Sequence, residues 1–250
     1  MSSDQAEIFR DFLGESSRAV VFTGAGISTE SGIPDFRSPG GVWTKNQPVY
    51  FQDFIESEDA RRESWRRKIE TDKVMLEAKP NLGHLAISKL AQRGGVASLI
   101  TQNIDGLHQA SGVPDDMIIE LHGNSTYSTC LDCAKRYENQ PIKDAFEADG
   151  TLPVCEDCGG IVKTATISFG QPMPEAEMLR AQEATLACDL FIAIGSSLVV
   201  FPAAGFPVMA KQNGARLVIL NRDPTEMDDT ADLVINDEIG ATLRQVVPLD

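Results

Sequence analysis

The stretch RAVVFTGAGISTESGIPDFR, residues 18–37, decides how the rest of the chain is read. Its first half is a run of apolar, largely β-branched residues ending in glycine. That pattern predicts a strand buried on both faces that feeds a tight turn. The second half opens like a dinucleotide-binding turn, with Gly24 and Gly26, and then departs from it, because Thr29 stands where a third glycine is expected. Glycines let a backbone approach a pyrophosphate, and amides at a helix start hold its charge. The tail GIPDFR adds Asp35, Phe36 and Arg37, an acid, an aromatic and a cation that a phosphate cradle alone does not need.

Outward from this stretch, strands and helices alternate. VASLITQN, MIIELHG, DLFIAIGSS, ARLVILN and ADLVIN read as further strands, about six in all. Residues 5–13 suit a short helix with Ile8, Phe9, Phe12 and Leu13 on one face. PNLGHLAISKLAQRGG predicts a helix capped by Asn81 and ended by Gly94. PEAEMLRAQEATLA predicts another, with Met178, Leu179, Gln182 and Leu186 along one stripe. The alternation points to an α/β fold, a Rossmann-like doubly wound parallel sheet. Residues 34–79 lose the pattern, and residues 124–164 form a polar insertion holding four paired cysteines. The expected organisation is a Rossmann-like domain from residues 1–33, 84–123 and 165–250. Residues 34–83 and 124–164 would form a smaller domain with a helical and a zinc module.

The composition bounds the function. The chain has 250 residues, 42% hydrophobic and 24% charged, ordinary for a soluble globular protein. A net charge of −15 argues against nonspecific binding to nucleic acid or anionic membrane. The N-terminus MSSDQAEIFRDFLGESS scatters acids and is not read as a signal peptide, which fits a cytoplasmic protein. Leu190–Ala210 carries no charge, yet it contains Gly195, Ser196, Ser197, Pro202, Gly205 and Pro207. A strand, a tight loop and a short helix account for it better than a membrane span.

In a doubly wound sheet, ligands sit at the carboxyl ends of the strands. The polar turns Gly24–Arg37, Thr101–Asp105, Leu121–Gly123, Gly195–Ser197 and Asn221–Asp223 all follow predicted strands. Any one of them could be an ordinary turn, but five at one edge make a site. Of the three histidines, His84 reads as structural in the first turn of a helix, and His108 as structural in a loop or helix. His122 directly follows a buried strand, which puts an imidazole, the side chain suited to general-base work near neutral pH, at the ligand edge. Cys130-x2-Cys133 and Cys155-x2-Cys158 suit a closed tetrahedral zinc site, with a redox pair as the competing reading. Cys188 reads as a core residue.

Taken in order, GAGISTESGIPDFR, TQNIDGLHQASG, ELHG, the two CxxC pairs, FGQPMP, GSSLVVFPAAGFP and LVILN resemble the sirtuins, NAD-dependent protein-lysine deacylases, over roughly residues 18–237. The resemblance implies NAD as co-substrate and one structural Zn2+. It implies that Gly24, Ala25 and Gly26 contact the cofactor through backbone. Asp35 would bind the nicotinamide amide, Phe36 would shield the reacting ribose carbon, and Arg37 would engage the phosphate side. Gln102, Asn103, Ile104 and Asp105 would line the nicotinamide and ribose pocket, while Gly195, Ser196, Ser197, Asn221 and Ile239 would hold the adenosine half. Asn103, Asp105 and His122 would form the catalytic set. The acyl-lysine carbonyl would displace nicotinamide, and His122 would take a proton from a ribose hydroxyl as the acyl group moves to ADP-ribose. An acyl-lysine peptide would bind as an added strand against Phe36, Ile167, Phe169 and Gly170 on one side and Ser197, Leu198 and Val199 on the other. The segment after the second CxxC departs from the family's usual LRPDVVWFGE. Here it is VKTATISFGQ, with Lys163 for the arginine, Thr164-Ala165 for Pro-Asp and Gln171 for the glutamate. Trp65–Lys68 lacks the Tyr-x-x-Arg pair of succinyl-preferring sirtuins, which favours acetyl or neutral acyl chains. Two other functions would fit the same NAD site: protein ADP-ribosylation, and non-enzymatic NAD or ADP-ribose sensing.

Overall fold

The computed structural model describes residues 1–35, 41 and 47–248. Six parallel strands form the main sheet: β1 (Ala19–Thr23), β2 (Ser98–Thr101), β3 (Ile118–Glu120), β7 (Leu190–Ile194), β8 (Arg216–Leu220) and β9 (Leu233–Ile235). Their spatial order is β3-β2-β1-β7-β8-β9, so the winding reverses at β1. Val21 pairs with Leu99 on one side and Ile192 on the other, so the opening apolar run is the centre of the sheet. All five residues of β1 are buried, as a strand covered on both faces requires.

Each face has its own core. On one face, Val21, Leu99, Ile192 and Val218 pack with Phe9 of α1 (Ser3–Glu15), Ile87 of the Asn81-capped helix Leu82–Gln92, and Leu243 of the helix Ile239–Val246. On the other, Val20, Phe22, Phe191 and Ile219 pack with Ala181 of the helix Glu175–Ala187 and Phe206 of the helix Gly205–Gln212. The stripe expected on Glu175–Ala187 is corrected here. Its buried side is Ala181, Ala184 and Thr185, while Leu179 and Leu186 are 53% and 44% exposed. Small residues let this helix lie close on the sheet, so Leu179 and Leu186 point outward while Met178, half-buried, packs against the edge of the core. Leu190–Ala210 forms β7, a loop and the start of a helix, and no helix among the described residues is long and apolar enough to cross a membrane.

A second, antiparallel sheet lies beside the first, with order β5-β4-β6: β4 (Gly123–Cys130), β5 (Arg136–Glu138) and β6 (Val162–Thr166). It has its own small core, in which Trp65 packs with Cys130, Ile142, Cys155 and Val162. Trp65 comes from the helix Glu58–Met75 and Ile142 from the helix Asn139–Asp149, so the two insertions share one core. The sheet overlaps the expected domain limits by a residue or two, since Gly123 pairs with Thr166 and both are strand residues.

Candidate active site

The carboxyl ends of β1, β2, β7 and β8 open onto one cavity of about 430 Å³. A seven-residue 3-10 segment, Ala25–Ser31, follows β1 and lies against the turn after β7. Gly24 donates to the Ile194 carbonyl at 3.0 Å and Gly26 to the Gly195 carbonyl at 2.8 Å. A Cβ on either glycine would stand 2.7 Å from the Gly195 oxygen. The glycines thus serve a contact between backbones that no turn pattern reveals. Thr29, in the missing glycine's place, donates its hydroxyl to the Gly26 carbonyl at 2.8 Å and closes the turn.

The β2 end is held from both sides. Asn103 is 7% exposed; its backbone N–H donates to Thr101 Oγ1 and its side-chain amide to Ser28 Oγ. Ser28 in turn donates to Asp105 Oδ2 at 2.7 Å, and Asp105 Oδ1 caps the Leu107 amide at 2.9 Å. Gln102 Nε2 donates to Ser196 Oγ at 2.8 Å, joining the two halves of the sheet across the switch point. His122 sits in the turn between β3 and β4 with Nδ1 3.0 Å from the Gln102 carbonyl. A carbonyl oxygen only accepts, so in the neutral ring Nδ1 carries the proton and Nε2 holds the lone pair. The His122 carbonyl accepts from Ile167 N at 2.8 Å, tying the histidine to the junction with the small sheet.

Of the expected site residues, Gly24, Ala25, Gly26, Asp35, Gln102, Asn103, Ile104, His122, Ile167, Phe169, Gly170, Gly195, Ser196, Ser197, Asn221 and Ile239 line the cavity. Asp105 is not among the lining residues and stands behind Asn103, linked to it through Ser28. Leu198 is 4% exposed and packs in the core, so only its backbone is available to a ligand, whereas Val199 is exposed but lies outside the cavity lining. Phe36 and Arg37 lie outside the described residues. Gln171, at the departure from the usual glutamate, accepts the Ser168 N–H at 3.1 Å and closes the turn beside Phe169. The reading missed Asp237 and Glu238, which follow β9 as the other turns follow their strands, so the same rule taken one strand further would have found them. It also missed Glu30, whose carboxylate accepts the Gly240 amide at 2.8 Å; nothing local in the sequence signals that contact.

The other two histidines are buried behind the site. His108 Nε2 lies 2.9 Å from Thr23 Oγ1, and the His84 and His108 ring centroids are 5.0 Å apart. Burial pushes their pKa values down to about 4 and about 3, which keeps both rings neutral. The cations of Trp65–Lys68 are engaged elsewhere: Arg66 and Arg67 pair with Glu63, and Lys68 pairs with Asp72.

The thiols of Cys130, Cys133, Cys155 and Cys158 converge within 4.8 Å of one another. The Sγ separations are 3.5 Å for Cys130–Cys158 and 3.6 Å for Cys133–Cys155. Tetrahedral zinc with Zn–S bonds of about 2.3 Å has edges of roughly 3.8 Å, so the set fits a closed structural site with no position for substrate.

A doubly wound sheet with a cavity lined by strand-end turns at its switch point and a four-cysteine module beside it defines a dinucleotide-binding α/β protein. The Sir2 family model matches residues 24–202, and the chain belongs to the Sir2 family. It is 58% identical over 237 residues to NAD-dependent protein deacetylase 1 of Bradyrhizobium diazoefficiens, covering 95% of this chain and 93% of that protein. It is 54% identical over 245 residues to an NAD-dependent protein deacetylase of Rhodopseudomonas palustris, covering 98% and 97%. Among solved structures, a Sir2–p53 peptide–NAD+ complex aligns with a TM-score of 0.86 at 38% identity, covering 96% of each chain.

Proposed function

We propose that this chain is an NAD-dependent protein-lysine deacetylase that moves the acyl group from lysine to ADP-ribose and releases nicotinamide. The observation that carries this reading is His122. Its Nδ1 faces the Gln102 carbonyl at the rim of the cavity, so the basic Nε2 is oriented by the same strand end that supplies Asn103. In that role His122 accepts the proton of a ribose hydroxyl, and the Gln102 carbonyl stabilises the imidazolium that forms. Gly24–Glu30 and Asn221–Asp223 flank the cavity where the two ends of NAD would lie. The substrate peptide binds as an added strand between Ile167–Gly170 and Ser197–Val199, held by main-chain bonds. Acetyl or another neutral acyl group is the favoured cargo. Ile167 and Phe169 are apolar, and Arg66, Arg67 and Lys68 are paired with acids away from the cavity, so none of these three offers a cation to a terminal carboxylate beside Ile167 and Phe169; Arg222 lines the cavity from the turn after β8, where the Asn221 end of NAD would lie. The cytoplasm is the place of action this reading favours, since free thiolates for zinc persist where thiols stay reduced.

The test is mass spectrometry of the products from matched acetyl- and succinyl-lysine peptides with NAD. Free lysine, nicotinamide and O-acetyl-ADP-ribose are expected, with acetyl preferred. ADP-ribosylated peptide or protein would replace this reading with ADP-ribosyl transfer, and no NAD turnover would replace it with sensing.

A further inference from the structure

Lys163 is a buried cation that the reaction does not use. It stands on β6, 4% exposed, opposite Thr129 of β4. Among the described residues no carboxylate pairs with it. Its ammonium donates instead to two carbonyls of its own strand, Thr164 O at 3.3 Å and Thr166 O at 2.5 Å. The ring of Phe54, from the helix Phe51–Glu56, covers it, with Nζ 6.0 Å from the ring centroid. Holding an ammonium in such a place is costly, and burial pushes its pKa down to about 8. Apolar residues would be the cheaper filling for this space.

The carbonyl it grips belongs to the Thr166–Ile167 peptide group. The other end of that group, the Ile167 N–H, donates to the His122 carbonyl at 2.8 Å. One rigid peptide plane therefore has its oxygen held by Lys163 and its nitrogen by the backbone of His122. Thr166 and Ile167 both line the cavity. We propose that Lys163 is a positioning residue, whose bond to the Thr166 carbonyl sets the Thr166–Ile167 peptide plane and so aligns the acyl-lysine wall with the turn that carries His122. The inference rests on the proposed function for its kinetic consequence, but not for its structural one. The contacts at Gly24 and Gly195, which support the other side of the cavity, do not pass through Lys163.

The test compares Lys163→Met, which keeps the length and loses the donors, with Lys163→Arg, which keeps a cation. Backbone amide exchange is read at Ile167, Gly24 and Gly195, together with KM for an acetyl-lysine peptide and for NAD. In Lys163→Met, exchange at Ile167 quickens and peptide KM rises, each by about tenfold, the size expected from losing one charge-assisted bond. Exchange at Gly24 and Gly195 and KM for NAD stay within about twofold, and Lys163→Arg recovers Ile167 protection. Unchanged protection at Ile167, or an equal loss at all three amides, overturns the proposal. If Lys163→Met does not fold, Lys163→Gln, with a neutral donor, is held to the same selective pattern, and its absence overturns the proposal. Exchange needs no turnover, so a chain without deacetylation would refute the proposed function and leave the Ile167 measurement to decide this inference.

Discussion

The two ends of the main sheet are built from similar polar residues and used in opposite ways. At the amino ends, polar groups serve the fold. Asp189, just before β7, accepts from Ser16 Oγ, from both N–H and Oγ of Ser17, and from the Arg18 amide. Asp232, just before β9, takes two bonds from Lys211 and one from the Leu217 amide. At the carboxyl ends, Gln102, Asn103, Ser196 and His122 also bond within the chain, yet all four line the cavity. The difference is geometric: at the carboxyl edge the bonds hold groups at an open cavity, and at the amino edge they only tie segments of the chain together. Changes at the carboxyl edge should cost activity before stability, and changes at the amino edge the reverse.

The largest effect should come from outside both edges. Removing zinc from the Cys130, Cys133, Cys155 and Cys158 set, by chelation or Cys155→Ala, should unfold the small sheet, because binding of structural zinc is worth on the order of 10 kcal/mol. The site edge should fail with it, since Ile167, just past β6, holds the His122 carbonyl. The main sheet has its own two cores and should persist. Metal analysis with amide exchange in both sheets checks this, and a zinc-free protein that stays active would refute it. Next, His122→Ala should lower deacetylation by roughly 10²–10⁴ with little change in melting temperature. Near-normal turnover would remove His122 from its role.

Gly195→Ala should fall between the two edges. Gly195 has φ of 63°, and a Cβ there would stand 2.4 Å from the Ile27 amide nitrogen. A left-handed alanine alone costs about 1–2 kcal/mol, and the backbone cannot move without shifting the whole Gly24–Ser31 segment. Loss of NAD affinity together with about 2 kcal/mol or more of stability is expected, measured by titration and urea unfolding. Loss of stability with unchanged NAD affinity would place Gly195 with the amino edge.

These contrasts also mark how far the sequence could be read. The strands were legible because a strand buried on both faces is a plain apolar run, as in Val20–Phe22 or Phe191–Ile194. The metal set was legible because chelation needs short spacing, Cys130 to Cys133 and Cys155 to Cys158. The strand-end rule brought His122 and the residues around it to the site edge, and it missed Asp237 and Glu238 only because it was not carried to β9. What stayed hidden depends on partners far along the chain. Gly24 and Gly26 looked like a phosphate turn, and the structure adds a neighbour, Gly195, that no local pattern names. The outward side chains of Leu179 and Leu186 depend on how near Ala181 and Ala184 bring their helix to the sheet.

The smallest effect tests the amino edge directly. Burial alone would raise the pKa of Asp189, but the hydrogen bonds from Ser16, Ser17 and Arg18 outweigh it and hold the carboxyl well below the usual carboxylate range. A carboxyl whose pKa is lower folded than unfolded adds stability that is present above the unfolded value, near 4, and lost as pH falls below it. Asp189→Asn removes this contribution at every pH. At pH 7 the variant should be less stable by about 1 kcal/mol, a low figure for charge-assisted bonds because the carboxylate is exposed to water. The gap should narrow as pH drops below about 4, because only the wild type loses the contribution there. Deacetylation at pH 7 and 25 °C should be unchanged, since Asp189 sits at the opposite end of β7 from Gly195. Urea midpoints of both proteins at neutral and acid pH, with one activity measurement, decide it. A gap that stays constant with pH would show that the hydrogen bonds matter but the charge does not, and a loss of activity without loss of stability would end the division between the two edges.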